Sequence, residues 1–101
     1  MSDDSIRVEM WSTSWCGPCK NIKKELAGWK SGDPPPAGGG IVRKHLEGII
    51  PEVVVRDAEE SMSEASALGI RSVPHWELYR NGSRVGSGFS SAAEVARALS
   101  T

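Results

Sequence analysis

Cys16 and Cys19 are the only cysteines of this 101-residue chain, and two residues separate them. Thiols at this spacing can close a small disulfide, present a reactive dithiol or supply half of a zinc site. A zinc site would need His45 and His75 as its remaining ligands, and their spacing fits no zinc-finger pattern. We therefore interpret the cysteine pair as redox-active, with its own disulfide as the only redox group and no metal.

A strand before the cysteines and a helix after them are expected to position this pair. Residues 6–13 alternate in part between apolar and polar side chains, which is typical of a strand. Residues 21–29 carry an apolar stripe with helical spacing. The helix is predicted to begin near Cys16 or Gly17, with Pro18 in its first turn, where the missing N–H of proline is harmless.

Cys16 is predicted to be the attacking cysteine because it stands where the helix begins. The free N–H groups and the macrodipole at a helix N-terminus stabilise a thiolate. Such a position lowers the pKa of a cysteine from about 8.5 to roughly 3.5–7.5. Cys19, one turn inside the helix, is expected to be shielded and to resolve the mixed disulfide by attacking Cys16.

The composition favours a single soluble domain over residues 1–101. Hydrophobic residues make up 39% of the chain, and 12 basic against 13 acidic residues leave a net charge of −1. Nucleic acids and membrane surfaces both select clustered basic charge, so neither is an expected partner. We expect a monomer. The acidic start of the chain holds no apolar signal segment, which predicts a cytoplasmic protein whose disulfide is catalytic rather than structural.

Residues 30–40 contain a run of three prolines and a run of three glycines. Such a composition suits neither a helix nor a strand, so we predict an exposed loop inserted after the first helix. We interpret this loop as an inert insertion. The alternative is that it gates the substrate groove or docks a partner.

The rest of the chain predicts the remaining elements of an α/β fold. Asn81-Gly82 is the strongest hairpin signal and joins two predicted strands. Ser61 and Glu64 have the spacing of a capping box at the start of a helix that Gly69 ends. The predicted helices cover 41–50, ended by Pro51, then 61–68 and 91–99, and the strands cover 52–56, expected to be buried, 75–80 and 83–87. This order predicts a central mixed four-stranded sheet flanked by helices.

Several motifs in this order resemble the thioredoxin superfamily. Residues 15–20 read WCGPCK, the thioredoxin form of the active-site motif, and residues 69–74 resemble the segment that carries a cis-proline opposite the disulfide. Residues 78–82 resemble the hairpin that follows. Motifs in the expected order are far more specific than a lone CxxC. The resemblance begins at the active-site strand, so the N-terminal β-α pair of full thioredoxins is expected to be missing, as is their buried aspartate in the first core strand.

The resemblance implies a thioredoxin-like fold and a set of substrate-binding residues. Pro74 is expected to be cis and to lie against the cysteines, where it presents the backbone of Val73 as a short edge for a substrate peptide. In this family the dipeptide between the cysteines tunes reducing strength, and Gly-Pro implies a reductant. The residues assigned to substrate binding are Trp15, Gly17, Pro18, Val73, Pro74 and Gly88.

Three further residues are candidates for tuning the pKa of the cysteines. Lys20 adds positive charge near the thiolate. Glu9 would accept the proton of Cys19 if it pointed inward, although we interpret it as a solvated strand residue. A charged His75 beside the thiolate would lower the pKa of the cysteine, and the alternative is an exposed histidine at a strand end.

The resemblance implies a thiol-disulfide oxidoreductase that reduces protein disulfides. A thioredoxin reductase is then the expected electron donor, and ribonucleotide reductase is a client by family analogy. The first alternative is a glutaredoxin-like, glutathione-dependent reductase that uses Lys20, Arg71 and Ser90 around glutathione. The second alternative is a non-enzymatic binding module with a thioredoxin fold, which would have no chemical need for an intact CxxC.

Overall fold

A computed structural model describes residues 5–100 and contains a mixed four-stranded sheet. The strands stand in the order β2-β1-β3-β4. β1 pairs in parallel with β2 and antiparallel with β3, and β4 is antiparallel to β3. This sheet, flanked by helices, confirms the predicted fold class. The strands are β1 Ile6–Ser12, β2 Val54–Asp57, β3 His75–Arg80 and β4 Ser83–Phe89, and the helices are α1 Gly17–Lys30, α2 Arg43–Leu46, α3 Met62–Ala67 and α4 Ala92–Leu99.

One face of the sheet carries the apolar core. Val8 and Met10 of β1 lie on this face with Trp76 and Leu78 of β3, because alternate residues of a strand point to the same side. The helices α1, α2 and α4 pack against them. Burying each of these large apolar side chains contributes about 1.5–3 kcal/mol, so this face holds the helices in place. The other core members include Ile22, Leu26, Leu46, Val95 and both cysteines.

The opposite face of the sheet is buried but polar. The register sets Glu9 across from Glu77 and Trp11 across from His75. Glu9 is only 2% exposed and Glu77 is fully buried. The interpretation of Glu9 as a solvated strand residue is therefore wrong, because the side chains of neighbouring arginines close over it.

The strand β2 lies at the edge of the sheet, so its prediction as a buried strand is wrong. Val53, just before the strand, is buried, but Val55 is 40% exposed. The predicted capping box is also wrong. The side chain of Ser61 makes no capping hydrogen bond, and Glu64 instead forms an ion pair with Arg56 of β2 at 2.5 Å.

The hairpin and the helix ends follow the sequence more closely. Asn81 and Gly82 have φ values of 54° and 84°, which is the left-handed backbone that a tight two-residue turn requires. Gly69, with φ 75°, follows α3. Helix α4 is capped by Ser91, whose hydroxyl accepts a hydrogen bond from the N–H of Glu94.

The region after α1 differs in detail from its predicted form. Helix α1 runs through Lys30, and residues 37–39 of the expected loop form a single 3-10 turn. Helix α2 is shorter than the predicted 41–50 and ends at Leu46, before Pro51 is reached. The chain then continues in turns, with the N–H groups of Ile49 and Ile50 both bonded to the carbonyl of Leu46.

Candidate redox site

Cys16 and Cys19 are joined by a disulfide at the start of α1, with their Cα atoms 5.2 Å apart. Cys16 is the N-cap of the helix, and its Sγ accepts a hydrogen bond from the N–H of Cys19 at 3.2 Å. The first turn contains no acidic residue, so no negative side chain in it neutralises the positive end of the helix dipole. Cys16 is 4% exposed and Cys19 is fully buried, which makes Cys16 the more accessible sulfur.

The surface around the disulfide is built from the residues that separate and precede the cysteines. Trp15 is 71% exposed, a large apolar side chain that extends into solvent. Gly17 and Pro18 are exposed, and a Cβ added to Gly17 would meet no atom within 4 Å. The surface at Gly17, between the two cysteines, is therefore open to solvent. Lys20 is also exposed, on the first turn of α1.

The peptide bond between Val73 and Pro74 is cis, as the resemblance predicts. Val73 is partly buried against the core cluster that contains both cysteines. Pro74 shares the lining of one cavity with Pro18, which brings the proline segment and the cysteine motif to the same place. Gly88, with φ 74°, lies close to the end of β4.

Neither His75 nor Glu9 lies on the face of the sheet that carries the cysteines. Both belong to the polar face, because the cysteines pack with Val8 and Trp76, the strand neighbours of these two residues. His75 is 8% exposed, so it is not the exposed strand-end histidine of the alternative interpretation. Its Nε2 hydrogen bonds with Glu77 rather than pointing to a cysteine.

Glu77 lies at the centre of a group of hydrogen bonds on the polar face, and no sequence motif singled it out. Its carboxylate accepts hydrogen bonds from Arg84 Nε at 2.6 Å, from Ser87 Oγ at 2.5 Å and from His75. Burial alone would raise the pKa of Glu77, but these hydrogen bonds outweigh it and hold the pKa below its ordinary value. Arg84 also donates to the carbonyl of Leu68, so one buried acid connects β3, β4 and the end of α3.

The described residues hold neither a candidate metal centre nor a membrane span. Within residues 5–100, no three histidine, cysteine or acidic side chains are grouped so that they could hold a metal ion. His45 belongs to α2 and His75 to the polar face of the sheet. Over the same residues, no helix has the length and apolar character needed to cross a membrane.

The fold and the site together define the thioredoxin-fold class. A mixed four-stranded sheet carries a strand that leads to a CxxC pair at a helix N-terminus, with a cis-proline beside it. No family model matches the sequence. The chain is 30% identical to human thioredoxin over 89 residues, which is 88% of this chain and 70% of that protein. It is also 30% identical to the thioredoxin of Rickettsia conorii over 81 residues. The protein belongs to the thioredoxin superfamily.

The coverage of these relatives is partial. The match spans 80% of this chain but 63% of the Rickettsia protein, which is less than two thirds of that relative's length. Among solved structures, thioredoxin f2 of Chlamydomonas reinhardtii is 26% identical with a TM-score of 0.61. That comparison covers 95% of this chain and 76% of the other, so the shared fold extends over nearly all of the chain.

Proposed function

We propose that this protein is a thiol-disulfide oxidoreductase that reduces protein disulfides with the dithiol of Cys16 and Cys19. The observation that carries the proposal is the disulfide at the N-terminus of α1, beside the cis-Pro74 bond. Thioredoxins from a bacterium and a vertebrate are similar in sequence over most of the chain, which supports the same general chemistry.

The proposed reaction moves two electrons from the protein to its client. The Cys16 thiolate attacks one sulfur of the client disulfide, forms a mixed disulfide and releases the other client sulfur as a thiolate. Cys19 then loses its proton and attacks Sγ of Cys16. This second step forms the Cys16–Cys19 disulfide and releases the remaining client sulfur, so the client is reduced and the protein is oxidised.

The surroundings of the disulfide support this division of roles. The N–H groups of the first turn of α1 and the hydrogen bond from Cys19 N–H stabilise a thiolate on Cys16. The complete burial of Cys19 favours its role as the resolving thiol, reached only by Cys16. Glu9, which lies on the opposite face of the sheet, is not part of the proposed mechanism.

Client binding in this proposal uses the surface around the cysteines. The backbone of Val73, held by the cis bond to Pro74, offers a short edge to which an extended client segment adds as a strand. Trp15 supplies exposed apolar area and Gly17 an open surface between the cysteines, and the family resemblance assigns Gly88 to the same groove.

A test of the chemistry is the reduction of insulin disulfides in the presence of dithiothreitol. The wild-type protein is expected to accelerate precipitation of the insulin B chain, and Cys16→Ser is expected to return the rate to the uncatalysed one. In a separate incubation without dithiothreitol, reduced Cys19→Ser is expected to accumulate a mixed disulfide between Cys16 and the client, visible as a mass increase that added reductant removes. Full activity in Cys16→Ser would overturn the mechanism.

The proposed electron donor is a thioredoxin reductase in a cytoplasmic, reducing environment, and the proposed client, by family analogy, is ribonucleotide reductase. The donor is decided by comparing turnover with NADPH and thioredoxin reductase against turnover with NADPH, glutathione and glutathione reductase. Faster turnover with the first system is expected. Faster turnover with the second would assign the protein to glutathione-dependent reduction, with Lys20, Arg71 and Ser90 as the residues to vary.

A further inference from the structure

The segment of residues 31–42, which we call the insertion segment, is held against α1 by a buried carboxylate. Glu25 is 8% exposed. Its two oxygens accept hydrogen bonds from the N–H groups of Ile41 at 2.6 Å, Val42 at 2.6 Å and Arg43 at 2.7 Å. Charge-assisted hydrogen bonds of this length are among the stronger ones in proteins. The end of the insertion segment is therefore fixed to the active-site helix.

Two further features make this attachment specific. Gly40 has φ 85°, and a Cβ at this position would lie 2.5 Å from Oε1 of Glu25, so the carboxylate fits only because residue 40 is glycine. Arg43 is buried and donates from Nη1 to the carbonyl of Asp33 at 2.8 Å. The insertion segment is thus attached to α1 by defined contacts at Gly40, Ile41 and Arg43, whether or not it has a function.

The insertion segment and α2 form one wall of a cavity of about 390 Å³ beside the disulfide, which we call the insertion cavity. The redox site contributes Pro18 and Pro74 to its lining, and the wall contributes Ile41, Lys44 and His45. The rest of the lining comes from residues 90–93, where α4 begins, and from Ile22 and Trp76. A client segment lying across the cis-proline would place a neighbouring side chain at this opening.

The lining of the insertion cavity favours a negative group. Among the described residues that line it, Lys44 and His45 are the ionisable ones. Ser90, just before α4, already donates from its N–H and its hydroxyl to the carboxylate of Glu94, so it adds no free donor to the lining. Trp76 also lines the cavity and is fully buried, and its Nε1 donor has no acceptor among the described residues. A carboxylate entering the cavity would pair with the ammonium of Lys44, and none of the described residues that line the cavity is an acid that would compete for it.

We propose that the insertion cavity binds an acidic side chain of the client protein, next to the disulfide that is reduced. This proposal rests on the proposed function and adds a substrate preference to it. Lys44 is the specificity-determining residue, because it is exposed at the opening and carries a fixed positive charge. Glu25 is a positioning residue that acts through the insertion segment.

The test uses three peptides that carry the same intermolecular disulfide and differ in one residue beside the cysteine, which is aspartate, serine or lysine. The wild-type protein is expected to show kcat/KM for the aspartate peptide about two- to fivefold above that for the lysine peptide, the range of an exposed ion pair. Lys44→Glu is expected to bring this ratio to one or below. Lys30→Glu makes the same charge change at a residue that lines a different cavity, and its ratio is expected to match the wild type.

The outcomes separate this proposal from the proposed function. Reduction of all three peptides at equal rates by the wild type would overturn the acidic preference and leave the reductase function standing. A ratio that Lys44→Glu does not change, or that Lys30→Glu changes equally, would also overturn it, because net charge rather than the cavity would then be responsible. Failure to reduce any peptide would contradict the proposed function itself. A Lys44-dependent preference for glutathione disulfide over all three peptides would assign the cavity to that small molecule instead.

Discussion

At the residue scale, the placement of two carboxylates directly across from each other in the sheet is the least expected feature. Glu9 and Glu77 are paired in the register of β1 and β3, and both are buried. Like charges at this position destabilise a sheet unless opposite charges are close. Arg7 lies 2.6 Å from Glu9, and Arg84 lies 2.6 Å from Glu77. Each carboxylate is thus stabilised by its own arginine, and the pairs must form together with the sheet.

Glu77→Gln is expected to lower stability at neutral pH by about 2–3 kcal/mol, because charge-assisted hydrogen bonds to a buried group are lost. The pKa of Glu77 lies below its ordinary value, so its contribution is present above about pH 4.3 and is lost as pH falls through the folded-state pKa. The wild type should therefore lose stability below about pH 4.3 more steeply than Glu77→Gln does. Urea unfolding from pH 3 to pH 7 measures both curves.

Glu60→Gln provides the matched control for this experiment, because Glu60 is exposed on the surface. The stability of Glu60→Gln should fall with decreasing pH as steeply as that of the wild type. If the stability of Glu77→Gln falls below about pH 4.3 as steeply as that of the wild type, the surroundings of Glu77 do not lower its pKa. A loss of stability in Glu60→Gln equal to that in Glu77→Gln would point to net charge instead.

At the element scale, the end of the insertion segment is fixed to α1 where Gly40 lies against the carboxylate of Glu25. Gly40 has φ 85° and ψ −178°, a region of backbone conformation essentially restricted to glycine. Gly38 has φ 79° and ψ 4°, near the left-handed region that other residues enter at moderate cost. An alanine at position 40 tests both the backbone conformation and the contact with Glu25, whereas an alanine at position 38 tests the backbone conformation alone.

Gly40→Ala is expected to cost about 3 kcal/mol, because the added Cβ meets both a forbidden backbone region and the carboxylate of Glu25. Gly38→Ala is the matched control and should cost about 1 kcal/mol, since no atom lies within 4 Å of its Cβ. Urea unfolding gives both values. Amide hydrogen exchange of Ile41 and Val42 should accelerate in Gly40→Ala alone, and equal effects of the two substitutions would contradict the role of Glu25.

The sequence predicted those elements that depend on neighbouring residues. The turn at Asn81-Gly82, the end of α3 at Gly69 and the start of α1 with Pro18 each follow from local backbone preferences. The three hydrogen bonds of Glu25 could not be predicted in this way, because they join residues 16 to 18 positions apart. The capping box failed because Glu64 finds a stronger partner in Arg56, on another element.

The residues of the site were predictable where they belong to local sequence motifs. Cys16, Cys19 and the cis-Pro74 bond belong to motifs that the sequence displays, and the structure brings them together. The bonds between Glu77, Arg84 and Ser87 were hidden by irregular pairing. The register of β3 with β4 shifts between Leu78 and Tyr79, so counting from the hairpin turn gives the wrong partner for Glu77.

At the scale of the whole molecule, the two faces of the sheet are stabilised by different forces. One face packs apolar side chains against helices, and the other is closed by arginines lying over carboxylates and an indole. Arg56 is central to the second face. Its guanidinium lies 4.6 Å from the ring centre of Trp11 and 3.5 Å from Oε1 of Glu9. It also forms an ion pair with Glu64.

Arg56→Met is expected to destabilise the protein by about 2–3 kcal/mol, because Glu9 keeps its buried charge with one arginine fewer and Trp11 loses a cation–π contact. Adding Glu9→Gln to this variant should cost less than the sum of the two single changes, since the interaction between Arg56 and Glu9 is then lost only once. Arg71→Met, at an exposed position, is the control and should change stability by no more than about 0.5 kcal/mol. Strict additivity in the double variant would show that Arg56 and Glu9 do not interact.

The two outer strands of the sheet bear on how the protein behaves at high concentration. An open strand edge offers unpaired backbone groups to any other chain and so invites aggregation. Here β2 is only four residues long, and β4 is interrupted by register shifts and contains two glycines. Short or irregular edges are poor templates for a further strand. The shape of the sheet margins therefore works against self-association through them and leaves the backbone of Val73 as the edge proposed for client chains.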